Sequence, residues 1–246
     1  MSLKLYGVPL SPPFRAVAWT LLQKQVPFEI KVTIPGATSK MGTLHESYLQ
    51  KTGGRCARVP LLEDGSLCVA ESPAILTFLC ESRSWSNLYA PPASTEKTLV
   101  DSYMHWHHEG TRNIALLTKP RLRPELKLEV SAKEKENVQS VLETLDSAWL
   151  KENDFLGGTE QHSIADILAY QEVAQAYMTD ALDLKEYPNI EKWVKRMQQV
   201  PYHDAAHAAL PALGSLTAPN ETPMMKRLGH ATKEGMKAIN EAQESY

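Results

Sequence analysis

Three short motifs in this 246-residue chain set reactive or ligating side chains where strands and helices begin. Ser11 precedes Pro12-Pro13-Phe14-Arg15, at the mouth of a helix whose apolar positions Ala16, Val17, Leu21 and Leu22 recur at helical spacing. A helix N-terminus presents unpaired N–H groups and partial positive charge, which suits an anion such as a thiolate, and a serine hydroxyl there can donate to it. Serine followed by proline is equally an ordinary helix start, so a plain cap is the competing reading. Val59-Pro60 stands at the entrance to a strand, where a residue without an N–H donor is tolerated. A cis bond there would turn the Val59 backbone outward, toward a peptide-like ligand. Glu71-Ser72-Pro73 opens a second helix. The Ser72 hydroxyl and nearby N–H groups suit a carboxylate and Glu71 an ammonium group, again with a plain cap as the competitor.

Short elements must carry these motifs. Leu3 and Leu5 alternate with polar neighbours up to Val8-Pro9, which reads as a strand, and Phe28, Ile30 and Val32 form a second, ended by Pro35-Gly36. Residues 38–49 are weakly helical. The runs 59–62 and 67–69 flank Asp64-Gly65, the pattern of a hairpin. After Ser72-Pro73, the residues Ile75, Leu76, Phe78 and Leu79 return to helical spacing. The order predicted over residues 1–86 is strand, helix, strand, weak helix, strand, strand, helix: an α/β unit. Residues 87–96, with two prolines and no amphipathic period, read as a linker. From 97 to 246 strand signals fade, and helices are expected near 97–117, 132–150, 164–177, 190–200 and 224–242. Ser163-x-x-Asp166 before an apolar run is a capping box with Asp in the place of Glu.

Within the all-helical half, Trp106, His107 and Arg112 offer aromatic and cationic groups to a second ligand. Arg112 is read either as a solvated arginine or as a contact for an anionic group. His105, His108 and Glu109 share a helix face, but Arg112 on that face repels a cation and no cysteine completes a set, so no metal is expected. In the tail, Met225, Leu228, Met236 and Ile239 recur at roughly helical spacing, as a helix over a pocket or one docked on the surface.

Composition narrows the function classes. Lys and Arg total 26 against 29 Asp and Glu, a net charge of −3, which argues against a nucleic-acid partner held by phosphate charge. Hydrophobic residues at 43% and charged residues at 22% exclude wholesale disorder. Cys56, Cys68 and Cys80 are odd in number with no CxxC pair, which points to a reducing compartment rather than a disulfide framework. Neither a secretion signal nor a run of about 18 apolar residues is found, so a soluble, cytoplasmic chain is expected.

Taken together, Ser11-Pro12-x-x-Arg15, Val59-Pro60 and Glu71-Ser72 on this frame resemble a cytosolic glutathione transferase, the theta class most closely. Leu5-Tyr6, Val26-Pro27-Phe28-Glu29, Val100-Asp101-Ser102-Tyr103, Trp106 and Ser163-Ile164-Ala165-Asp166 extend the likeness over nearly the whole chain. The resemblance implies an N-terminal thioredoxin-like domain followed by a C-terminal helical domain, in a homodimer without nucleic acid or membrane partners. It implies that Ser11 hydrogen-bonds the sulfur of glutathione, the co-substrate. Tyr6 is a rival, since other classes use a tyrosine near that strand. It further implies that Val59, beside a cis Pro60, pairs with the cysteinyl part and that Glu71 and Ser72 hold the γ-glutamyl end. His45 and Arg58 would face the glycyl carboxylate, and Asp101 would approach the partner's glutathione. Trp106, His107 and Arg112 would line the site for a small hydrophobic electrophile. Two features depart from the pattern: Gly53-Gly54-Arg55 replaces the usual Asn-Pro, and the segment between Val32 and His45 is several residues longer than usual. A non-catalytic scaffold of the same fold, a peroxidase, an isomerase or a dehalogenase are the alternatives.

Overall fold

The computed structural model describes residues 3–246. Strand β1 (Leu3–Gly7) is followed by α1 (Pro12–Gln23), β2 (Phe28–Val32), α2 (Glu46–Thr52), β3 (Leu61–Asp64), β4 (Leu67–Ala70) and α3 (Ser72–Ser82), in the order that periodicity predicts. The sheet runs β2-β1-β3-β4. β1 and β2 are parallel, Leu3 facing Phe28 and Gly7 facing Val32, while β3 is antiparallel to both its neighbours. Gly65 turns the β3–β4 hairpin at φ +61°, a left-handed conformation that glycine adopts without a Cβ clash. Alternation along β1 buries Leu3 and Leu5 in the core and sends Lys4 and Tyr6 to the opposite face, beside α2. That face carries a polar cluster. Glu63 of β3 accepts from Lys4, Lys51 and Tyr6, and the two ammonium groups hold its carboxyl down at about 2.

Helix α4 (Thr95–Trp106) begins inside the predicted linker and stops well short of residue 117. Beyond Trp106 the chain turns at Gly110 (φ −97°, ψ −109°), where the Trp106 ring packs so closely that a Cβ would lie 2.4 Å from it. A 3-10 turn (Thr111–Leu117) and α5 (Lys119–Leu122) continue the chain. After a second short turn, α6 (Ala132–Thr144) runs into a π turn (Leu145–Trp149). Then follow α7 (Ile164–Tyr177), α8 (Pro188–Met197), α9 (His203–His207), α10 (Ala209–Leu213) and α11 (Met224–Gln243). α7 is buried along almost its whole length. One continuous apolar cluster runs from Leu5 and Trp19 through Leu76 to Ile167, Val173 and Trp193, so the α/β unit and the helices share a core. Among the described residues no helix is long and apolar enough to cross a membrane.

The capping box at α7 forms and reaches further than its sequence signature implies. The fully buried Asp166 carboxylate accepts from the N–H of Ser163 at 2.9 Å, its hydroxyl at 2.9 Å, the N–H of Leu156 at 2.8 Å and Trp193 Nε1 at 2.9 Å. Burial pushes the Asp166 carboxyl up and these four donors oppose the shift. The aspartate thus ties the start of α7 to α8 and to the preceding loop. Ser163→Ala is expected to lower the unfolding free energy by about 1 kcal/mol, and Asp166→Ala, which strands four buried donors, by about 3 kcal/mol, both read from urea denaturation.

Buried histidines set an acid limit. Burial holds His107 down at about 3 and His162 at about 4, against an ordinary value near 6.5. Between those limits the unfolded chain binds protons that the folded chain refuses, so stability is full above about pH 6.5 and falls as pH drops through the window. The urea midpoint should be lower near pH 5 than near pH 7, and His162→Gln should narrow that difference.

Candidate functional site

Ser11 is the N-cap residue of α1, half-buried and extended (φ −82°, ψ 119°), its N–H donating to the Val8 carbonyl at 2.9 Å. Its hydroxyl makes no capping bond. Pro12 and Pro13 carry no N–H, so two first-turn donors are missing and Phe14 supplies the next amide. An anion arriving at this helix start therefore meets chiefly the Ser11 hydroxyl. The rival donor is committed elsewhere: the Tyr6 hydroxyl donates to Glu63 at 2.8 Å, and burial together with that carboxylate raises its pKa.

The Val59–Pro60 bond is cis and leads into β3. Glu71 is the N-cap residue of α3, at φ +70° and ψ 119°, its side chain exposed and making no capping bond. Such a backbone costs a non-glycine residue about 1–3 kcal/mol and concentrates at ligand sites. Ser72, in the first turn, is 5% exposed. Cys56 stands in the same group, its Sγ 3.8 Å from Glu71 Oε1 and 3.9 Å from the Arg58 carbonyl oxygen. Helix α2 positions the two basic candidates. His45 is its N-cap, Nδ1 accepting from the Ser47 N–H at 3.3 Å, and Tyr48 donates its hydroxyl to the Arg58 carbonyl. The Arg58 side chain is exposed.

On the helical side, Arg112 is brought to this group by charge. Its guanidinium, 44% exposed, pairs with the carboxylate of Glu172 on α7, which is 2% exposed. The nearby negative charge of Glu71 favours the same cation. Burial raises the Glu172 carboxyl, opposed by Arg112 and Arg15. Trp106 and His107 have other surroundings. Trp106 packs on Tyr103 and Trp149, and His107 is 3% exposed, too deep to touch an incoming small molecule. Asp101 is held within its own chain, accepting from Tyr89 at 2.5 Å and Lys97 at 2.8 Å.

The apolar surface beside Ser11 joins Leu228 of the expected tail helix to residues that motif reading gives no such role. Leu10 packs with Leu122, Met224 and Leu228 against Leu213, Leu216 and Ala231. Helix α11 reaches this loop through Gly235, where a Cβ would lie 2.7 Å from Pro9 and 2.8 Å from Ala209. The recurrence of Leu228, Ala231, Gly235 and Ile239 was the available signal for that contact face, although glycine and alanine do not register as apolar period markers.

Comparison with known families places the chain as a whole. The model described as glutathione S-transferase, N-terminal domain, matches residues 5–87, and that for the C-terminal domain of the same family matches residues 99–201. The chain belongs to the glutathione S-transferase family. It is 27% identical over 242 residues to glutathione S-transferase theta-2 of Rattus norvegicus, covering 95% of this chain and 91% of that one. It is 29% identical over 224 residues to glutathione S-transferase T3 of Arabidopsis thaliana, covering 85% of this chain but spanning only 37% of that relative's length. A glutathione transferase homolog from Drosophila mojavensis, solved with bound glutathione, matches at a TM-score of 0.71 and 25% identity, covering 95% of this chain and 97% of that one.

In this theta-like transferase the Arg112–Glu172 pair ties the 3-10 turn to α7. Arg112→Leu leaves a buried carboxylate without its cation and is expected to lower stability by roughly 2–3 kcal/mol. Adding Glu172→Gln should restore part of that loss, as a double-mutant cycle in urea would show; strictly additive losses would mean the pair is not coupled.

Proposed function

We propose that the protein conjugates glutathione to small hydrophobic electrophiles, with the Ser11 hydroxyl donating to the glutathione thiolate. The observation that carries this reading is the Ser11 hydroxyl itself. It sits at a helix start, half-buried, unused for capping, beside two prolines that remove competing N–H donors. A thiol near pKa 8.5 is mostly protonated at neutral pH, and one charge-assisted hydrogen bond with the remaining helix-start field supports a depression of about one unit, or ~1.4 kcal/mol. The nucleophile then belongs to the substrate, and the protein supplies orientation and electrostatics.

The remaining contacts follow from chemistry. Glu71 takes the γ-glutamyl ammonium and Ser72 its carboxylate, the Val59 backbone beside Pro60 pairs with the cysteinyl unit, and His45 and Arg58 face the glycyl carboxylate. Arg112 borders the electrophile, whose apolar body rests on Leu10, Leu122, Met224 and Leu228. Trp106 and His107 support this region by packing. A homodimer, a cytoplasmic location and peroxidase activity toward organic hydroperoxides belong to the same reading. In such a dimer Asp101 reaches a partner's glutathione only by releasing Lys97 and Tyr89.

Ser11→Ala should raise the thiol pKa of bound glutathione by about one unit, seen in the pH dependence of thiolate absorbance, and lower kcat/KM roughly tenfold near neutral pH with little change in glutathione affinity. An unchanged thiol pKa would remove Ser11 from the mechanism. If calorimetric titration detects no glutathione binding to the wild type, the scaffold alternative stands instead.

A further inference from the structure

The chain crosses from β1 to α1 over Val8–Ser11, and this loop has to aim the Ser11 hydroxyl. Its own bonds are few. The Ser11 N–H donates to the Val8 carbonyl at 2.9 Å, and among the described residues the only side chain that bonds the loop's backbone is Arg15, whose guanidinium donates to the Pro9 carbonyl at 3.1 Å. On the side of α11, Gly235 packs against Pro9. That contact limits how far the loop can shift but supplies no direction.

The direction comes from the helical domain. Nε of Arg15 donates to Gln171 Oε1 and one terminal nitrogen donates to the Gln171 main-chain carbonyl, each at 3.1 Å. Gln171 stands in the middle of α7, fully buried, and its amide has one sense: Nε2 donates to the Ile167 carbonyl at 3.2 Å, which turns Oε1 toward Arg15. A planar guanidinium with two of its three nitrogens fixed has little freedom left for the third, so the place of the Pro9 carbonyl follows from Gln171. A hydrogen bond weakens steeply once its donor is misaligned. A loop free to shift would therefore lose part of its hold on a sulfur anion while keeping the serine.

We propose that Gln171 is a positioning residue of the transferase reaction, holding through Arg15 the loop that presents Ser11 to the glutathione sulfur. Its chemical consequence rests on the role given to Ser11 above; the structural link does not. The test is Gln171→Met, which keeps the length of the side chain and removes its acceptor, in the full chain. Without ligand, hydrogen exchange of the Ser11 N–H should quicken at least about tenfold. With saturating glutathione the thiol pKa should rise by about half a unit and kcat/KM fall about threefold near neutral pH, glutathione affinity staying within about twofold. In a Ser11→Ala background the same substitution should add no further shift of the thiol pKa, because its effect passes through that hydroxyl. Gln171→Glu keeps an acceptor for Arg15 and should return Ser11 exchange to within about twofold of wild type. Ser163→Ala weakens the cap of the same helix and is the control for lost stability; it should move neither exchange nor thiol pKa. Unaltered Ser11 exchange in Gln171→Met, an equal change in Ser163→Ala, or an undiminished pKa shift in the Ser11→Ala background overturns the inference. If Gln171→Met does not fold, Arg15→Lys, which keeps the charge and loses the fork, decides by the same readouts. A thiol pKa that Ser11→Ala leaves unchanged counts against the transferase role of Ser11 instead, and the exchange measurement still decides this proposal.

Discussion

The buried guanidinium of Arg15 is the constraint on which the rest of the structure depends. It has no exposure to solvent, and each of its three nitrogens donates to a neutral acceptor: Nε to Gln171 Oε1, one terminal nitrogen to the Pro9 carbonyl and the other to the Gln171 carbonyl, each at 3.1 Å. Burial draws its pKa down to about 9, and the negative charge of Glu172 opposes that shift, so the group is still a cation at neutral pH. Three bonds from one rigid fork lock the loop that ends at Ser11 against the middle of α7. The geometry at Ser11 is thereby set from across the domain boundary. A lysine at position 15, with one ammonium on a flexible stem, has no means of meeting three acceptors in a plane.

The same constraint organises the neighbouring polar core. Gln171 Oε1, already taken by Arg15, also lies 3.0 Å from His207 Nε2, while His207 Nδ1 lies 2.7 Å from the His203 carbonyl oxygen. A neutral imidazole has a single N–H to give, and burial with the Arg15 charge drives the His207 pKa well below its ordinary value. Only one of those two contacts is a donated hydrogen bond at a time. The histidine is nevertheless kept in place by packing, stacked on His203 at 4.4 Å and edge-on to Trp19 at 4.9 Å. Polar residues thus join α1, α7 and α9, and the surrounding apolar cluster keeps water from competing for them.

How much of this was legible in the sequence depends on the distance over which each signal acts. Strand alternation in β1, the Asp64-Gly65 turn, the serine-proline helix starts and the Ser163–Asp166 box are decided by neighbours within a few residues, and the structure forms each of them. The helix expected over 97–117 stops at Trp106 and gives way, past Gly110, to a 3-10 turn, because a lone glycine inside a helical pattern does not fix where a helix ends. The five-residue α9 and α10 are too short to show a period, and they pack against α1 and α11. Arg15 and Gln171 are 156 residues apart, so the motif that contains Arg15 revealed nothing of its partner. Glu172 was equally hidden: α7 is buried nearly all round, and a helix without a solvent face gives no amphipathic cue to which polar residue is special. For the candidate site, the residues nearest the sheet were legible as motifs, whereas the apolar surface of Leu10, Leu122, Met224 and Leu228 exists only after distant segments meet.

The double proline after Ser11 sharpens what the helix start can contribute. Reading the motif as a helix N-terminus brings with it the full set of free amides and the field they generate. Two of those amides are absent here, and the N–H of Ser11 itself is bonded to Val8. The remaining donors are one hydroxyl and the Phe14 amide, against a backdrop of aligned peptide dipoles further along α1. A plain capping role for the serine would spend its oxygen on an amide of the first turn, and the prolines take away the two nearest candidates. The same residues that weaken the cap reading therefore leave the hydroxyl available, at the end of a loop that Arg15 holds through the Pro9 carbonyl and bordered by an apolar surface that strengthens any charge-assisted bond made there.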